Sequence, residues 1–453
     1  MPYFPAIAGK YGNFASQQIV AIIFGMDFKF PKDFFFGAST SAHQVEGGNH
    51  NDWTEFEHAN SVRLAAEAAR RHANAHTRIP DFILKNYPNP LQEENYISGK
   101  ACDHYNRFRE DFDIAKQLGH NAHRFSIEWS RIEPEEGKFN EREIEHYREV
   151  IKALRERGIE PFVTLWHWTL PAWARDNGGI YSKEFPKYFS RYVEYVVKKL
   201  GQDIRFWITL NEPGVIIRYA YLWGIWPPQK RNIFLALKIF WILAEAHKLA
   251  FRIIHDINKE AQVGSANAMR YIEAYNNNPI NKFAAFVANF FSREYFLRLT
   301  KNTHDFIGLN YYIHHQMKFP QREIMTSEWL NDMGWEVYPE GIYHLLRFLK
   351  KHHLPIYITE NGIADARDLY RARFIKESLA WVEKAMREGV DVRGYFYWSL
   401  LDNFEWDKGF WPRFGLVEID YKTLERKVRS SAWAFKSIIE GGGLSSEALA
   451  KED

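Results

Sequence analysis

The chain has 453 residues, 46% of them hydrophobic, and a formal net charge of +2. That balance excludes the basic footprint of a nucleic-acid binder, and no run reaches the roughly 18 apolar residues of a membrane-spanning helix. Cys102 is the single cysteine, which excludes an intramolecular disulfide and fits a reducing, cytoplasmic setting.

Residues 1–25 read as a non-core extension ahead of Met26. Their apolar run Ile19 to Phe24 is short and lacks the basic flank and cleavage site of a signal peptide. From Phe28 one rhythm repeats: a short apolar strand, a turn, then an amphipathic helix. The expected strands are Phe34–Thr40, Ala122–Trp129, Glu160–His167, Arg205–Leu210, Val263–Tyr271, Asp305–Tyr312, Pro355–Glu360 and Val392–Leu400. Helical spacing fills the intervals; over 142–157 it brings Ile144, Tyr147, Val150, Ile151 and Leu154 to one face. The same spacing covers 104–118, 184–200, 232–258, 282–299, 341–352, 369–388 and 425–440. Strand–helix units in this order predict an α/β fold, a single (β/α)8 TIM barrel over residues 26–440. An open doubly wound sheet is the rival; no G-x-G-x-x-G follows the first strand.

An insertion after the first strand, Gly47 to Gly99, would lie on the active-site face of a barrel. Ser61–Ala73 reads as a basic helix carrying Arg63, Arg70 and Arg71, and Pro80–Pro90 as loop. The tail 441–453 opens on three glycines and reads as frayed.

Two of the apolar runs end in a glutamate followed by turn formers: Asn211-Glu212-Pro213 and Glu360-Asn361-Gly362. A carboxylate inside such a strand is costly to desolvate, whereas at its C-terminal end it faces the barrel mouth. The other strand ends add Gln44, Glu46, Arg124, His167, Trp168, Asn310, Tyr312, Trp398, Glu405 and Trp406. Hydrogen-bonding groups mixed with indoles suit a polyhydroxylated ring. The 16 tryptophans fit both a packed core and such platforms.

Four motifs, in order, resemble glycoside hydrolase family 1, the retaining β-glycosidases. They are Phe36-Gly37-Ala38-Ser39-Thr40-Ser41-Ala42-His43-Gln44-Val45-Glu46-Gly47, Thr209-Leu210-Asn211-Glu212-Pro213, Thr359-Glu360-Asn361-Gly362, and Trp398-Ser399-Leu400-Leu401-Asp402-Asn403-Phe404-Glu405-Trp406. The resemblance runs from about Phe28 to Phe435. It implies Glu212 as acid/base and Glu360 as nucleophile, with Arg124, Tyr312 and Asn310 supporting them. It implies Asn211 at the sugar 2-hydroxyl and Gln44, His167 and Glu405 at the outer hydroxyls. Trp398, Trp406 and Trp168 would wall that subsite, and Trp335 would stand on the leaving-group side. The activity implied is hydrolysis of small β-D-glucosides, galactosides or fucosides. Phosphorylated sugars are disfavoured, because Glu405 would repel a phosphate dianion.

Other assignments rest on the residues alone. Trp129 and Trp207 read as barrel core, and His43 and His123 as structural. Glu46, Glu57 and Glu128 are alternative acids, with Glu128 expected to share the face of Arg124 and Ser126. The pairs His314-His315 and His352-His353 lack ligand spacing, so neither a metal nor any cofactor is expected. The expected partner is a small β-glycoside, with no nucleic acid and no membrane; the oligomeric state is left open. Transfer to an acceptor alcohol, or sugar binding without catalysis, are the alternatives.

Overall fold

Eight apolar runs become eight strands. The computed structural model describes residues 28–74, 79–320, 322–324 and 329–441. Its barrel strands are β1 (Phe35–Ser39), β2 (Ala122–Ser126), β3 (Glu160–Trp166), β4 (Phe206–Asn211), β5 (Gln262–Ala268), β6 (Phe306–Tyr311), β7 (Ile356–Asn361) and β8 (Val392–Trp398). They pair in parallel in chain order, and β8 returns to β1 to close the barrel. The fold expected from the sequence is therefore the one observed. Parallel strands are covered on both faces, so they need apolar side chains on both; every residue of β2, β4, β6 and β7 is buried.

Aromatic rings plug the barrel. Phe162 and Phe206 stack with centroids 4.1 Å apart, and Tyr357 meets Phe162, Phe206 and Phe306. These rings lie towards the N-terminal ends of their strands, so the interior below the mouth is packed core.

The helices are α1 (Asp52–Ala73), α2 (Asp81–Asn86), α3 (His104–Gln117), α4 (Glu141–Glu156), α5 (Phe185–Leu200), α6 (Ile233–Ile257), α7 (Pro279–Asn289), α8 (Gly341–Leu349), α9 (Arg371–Arg387) and α10 (Ser430–Ile439). From α3 onward they form the outer ring, except α7, which packs on a small separate sheet. The apolar stripe expected on α4 is its buried face. Trp129 stacks on Tyr192 of α5, and Trp207 is likewise wholly buried, so both are core as expected.

Several expectations need correction. The insertion is more helical than its sequence suggests. Its first helix starts nine residues earlier than Ser61, at Asp52, because Asn51 caps it by accepting from the Trp53 and Thr54 amides. Within Pro80–Pro90 the chain forms α2, opened by Pro80 and anchored by the buried Ile83. Strand β2 stops at Ser126, and Trp129 opens a short helix, Trp129–Ile132. Tyr271 belongs to a separate small sheet built from Tyr271–Ala274, His314–Lys318 and Arg322–Ile324. The helix expected over 282–299 is interrupted by a wider turn, Phe290–Glu294, and the one over 425–440 begins as a strand, Arg426–Val428. The extension 1–25 lies outside the described residues, as does the tail beyond Gly441. Among the described residues no helix is long and apolar enough to cross a membrane.

Candidate active site

Strict alternation along β7 would turn Glu360 outward. Tyr357 points into the barrel, while Ile356 and Ile358 pack against the outer layer. A register shift between Ile358 and Glu360 breaks the alternation, as an extra residue in a strand does. Glu360 is thereby turned into the mouth. In β4 a similar shift lies between Ile208 and Asn211, and Glu212 comes next in a left-handed conformation with φ 46°. Such a backbone costs roughly 1–3 kcal/mol for a residue with a Cβ. The Glu212 amide is held by the Ala266 carbonyl at 2.8 Å, and Pro213 starts the next helical turn.

Around Glu360 the charge is met from two sides. Arg124 forms an ion pair with Oε1, and the Tyr312 hydroxyl donates to Oε2 at 2.7 Å. Arg124 is itself fixed: its Nε donates to Thr164 at 3.1 Å and a terminal nitrogen donates to Asn211 Oδ1 at 2.7 Å. Asn310 donates to Glu212 Oε1 at 2.8 Å, and Thr359 donates to the Asn310 side-chain carbonyl oxygen at 2.6 Å. Asn310 thus supports Glu212, while Tyr312, one residue past the strand end, supports Glu360.

The two carboxyls differ in environment. Burial, then the charge of Glu360, pushes the Glu212 pKa up to about 8. Glu360 has a buried arginine on one oxygen and a phenol on the other. Burial and the two glutamates push the Tyr312 phenol well up, so it remains a donor. Glu405 is also raised to about 8, by burial and by the charges of Glu360 and Asp407. His167 is pushed well down by burial and by Arg124, so the ring is neutral. Asn211, its carbonyl committed to Arg124, turns its amide to His167 Nε2 at 3.0 Å. The imidazole proton then sits on Nδ1, a buried atom with no hydrogen-bond partner among the described residues.

These groups line one cavity of about 140 Å³. Glu212, Glu360, Gln44, His167, Glu405, Asn310 and Tyr312 supply its polar wall, and Trp168, Trp335, Trp398 and Trp406 its flat faces. Arg124 and Asn211 do not line it; both are buried behind it and act through their neighbours.

The glycosyl hydrolase family 1 profile matches residues 26–300 and 274–444. This chain belongs to glycosyl hydrolase family 1. It is 34% identical to β-glucosidase A of Thermotoga maritima, over 92% of this chain and 99% of that one. It is 32% identical to a 1,4-β-D-glucan glucohydrolase of Thermotoga neapolitana, over 92% and 99%. Among solved structures, a β-glycosidase from Pyrococcus horikoshii superimposes with a TM-score of 0.81 at 37% identity, covering 94% of this chain and 98% of that one. The Thermotoga maritima β-glucosidase bound to glucoimidazole gives 0.79 at 31%, covering 92% and 100%.

In this glycoside hydrolase the indole wall is braced from behind. His43 lies flat against Trp406, with centroids 5.5 Å apart, and Trp53 of α1 presses on the same ring at 4.5 Å. His43 is fixed by Glu57 at 2.7 Å and Asn51 at 3.1 Å, so it is structural, as expected. His123 is likewise buried, against Thr40. Gln44 accepts from Ser41 and donates to the Phe404 carbonyl, which aims its amide at Glu405.

The alternative acids are absorbed elsewhere. Glu46 holds Arg131 and Tyr147, and Glu57 holds His43 and Ser98. Glu128 does not share the mouth with Arg124: beyond the end of β2 it caps the helix at Trp129 and accepts from Thr169. Among the described residues no cluster of three or more metal-ligating side chains occurs.

Sequence reasoning missed part of the cavity lining. Val215, Arg218 and Tyr219 line the cavity over the two turns beyond Glu212, and Met269 and Arg270 line it from the end of β5. A usable signal existed for the second pair, because the C-terminal end of every barrel strand delivers side chains to the mouth.

Proposed function

We propose that this enzyme hydrolyses β-glycosides with retention of configuration, by double displacement. The observation that carries the reading is the contrast between the carboxyls: Glu360 is paired with Arg124 and Tyr312, while Glu212 is held protonated by burial and by Glu360. Glu212 gives its proton to the glycosidic oxygen as a Glu360 oxygen bonds to the anomeric carbon, and the alcohol leaves. The ester removes the negative charge on Glu360, so the pKa of Glu212 falls and it becomes a base. It then takes a proton from water, whose oxygen attacks the anomeric carbon and releases Glu360. The Nδ1–H of His167, Gln44 and Glu405 are donors for the outer hydroxyls, with Trp398 and Trp406 against the C–H faces of the ring. A protonated Glu405 both donates and accepts, as a pair of hydroxyls requires.

The substrates are unphosphorylated β-D-glucosides, galactosides or fucosides. A phosphate dianion would have to displace the proton shared by a neutral Glu405 with the sugar and would meet the charge of Glu360, with Asp407 already paired to Lys408. The sugar-like glucoimidazole held by the Thermotoga maritima relative supports the reading.

Two substitutions test the roles. Glu360→Gly should abolish hydrolysis and regain turnover with azide, giving the α-glycosyl azide. Glu212→Ala should still cleave activated aryl glycosides and, with azide, give the β-product. Ordinary turnover by Glu360→Gly, or the two azide products exchanged, would overturn the assignment.

A further inference from the structure

The outward faces of α6 and α7 carry bulky apolar side chains where a surface helix normally carries charge. On α6, Phe234 is 81% exposed and Trp241 59%, seven residues apart on one face. On α7, Phe283 and Phe286 are 67% and 68% exposed, with Ile280 one turn earlier. Between the helices Tyr295, beyond α7, meets the buried Phe240 of α6 at 5.1 Å and Phe291 at 5.3 Å. Large apolar side chains exposed together on a helix face mark an interaction surface.

Charge identifies the occupant. Between Glu212 and Glu245 there is no Asp or Glu, and none between Glu273 and Glu294, while Lys230, Lys238 and Lys282 are exposed in these stretches; Glu245, one turn beyond Trp241, is the first exposed acid on α6. A second copy docking by two-fold symmetry would lay this cationic rim against itself. A sheet of anionic headgroups meets the cations and takes up the rings.

We infer that this face docks on an anionic lipid bilayer as an interfacial, non-spanning attachment. The segment that leads into α6 borders the cavity. Arg218 and Tyr219, which line the cavity, precede α6, and Tyr219 touches the half-exposed Trp223 at 4.9 Å.

The test is co-sedimentation of the full chain with phosphatidylcholine vesicles, with and without about a third phosphatidylglycerol, at low and high salt. The wild type should pellet with the anionic vesicles and be released by salt. Phe234→Ser combined with Phe283→Ser and Phe286→Ser should weaken that binding at least about tenfold, with turnover of a soluble aryl glycoside unchanged. Lys238→Glu with Lys282→Glu should remove the preference for phosphatidylglycerol. Should the triple variant misfold, Phe234→Ser alone serves, and quenching of tryptophan fluorescence by brominated lipid in the wild type reads the same contact. Wild type that stays in the supernatant with every vesicle, or a triple variant that pellets undiminished, overturns the inference. So does a wild-type dimer that the triple variant dissolves, since the face would then join two copies.

Discussion

Glu212 makes the folded chain sensitive to pH in a definite direction. Its pKa is raised in the fold, to about 8, against about 4.3 in an unfolded chain. The folded state therefore binds more protons between these values, and the stabilising neutral form is lost as pH rises through the upper one. Replacing Glu212 by Gln should stabilise the fold, little at pH 5 and most near pH 8, by up to about 4–5 kcal/mol there, at the expense of activity. Equal gains at both pH values in thermal melts would show that the carboxyl is not held neutral. The polar groups at this scale were legible in the sequence because hydrolysis needs particular chemical types. Asn310 pairing with Glu212, and Asn211 set behind the cavity, were not legible, since which amide faces which acid depends on the sideways packing of adjacent strands.

At the scale of elements, two register shifts and one helix shape the site. Alternation along β7 would aim Glu360 outward, and only the irregularity after Ile358 corrects it. Nothing in Ile356 to Asn361 announces that shift, because it arises from pairing with β6 and β8. Helix α1 likewise reads as a solvated basic face, yet its first turn buries Trp53 against Trp406, Trp226 and Phe56. Trp53→Ala should cost about 3–5 kcal/mol. It should also raise KM more than it lowers kcat, because Trp406 loses its backing while the glutamates keep theirs. Thermal melts and steady-state kinetics on an aryl glycoside check both. An unchanged KM would show that Trp406 holds its position without the insertion.

For the whole molecule, closure depends on the segment after β8 as much as on the barrel. Asp402 is wholly buried, bonded to Arg429 through two oxygens at 2.9 Å and paired with Arg413. Burial alone would raise its pKa, but the arginines outweigh it and hold it below the usual carboxylate range. That stability is present above the unfolded pKa, near 3.9, and is lost as pH falls through the lower folded value. Asp402→Asn strands two buried guanidinium groups and should cost about 3–5 kcal/mol at pH 7, a deficit that narrows in acid. Denaturant melts across pH measure it; a deficit that does not change with pH would assign the loss to packing. The order of apolar runs and helical stripes determined the barrel by itself, because parallel strands buried on both faces allow few other sequences. The motif glutamates Glu212 and Glu360 were visible in the same way, each closing an apolar run at a strand end. Tertiary structure alone decided which side chains face the sugar, which brace it from behind, and that α6 and α7 turn their rings to the outside. Those outcomes depend on register, burial and neighbouring charge, which exist only once distant segments meet.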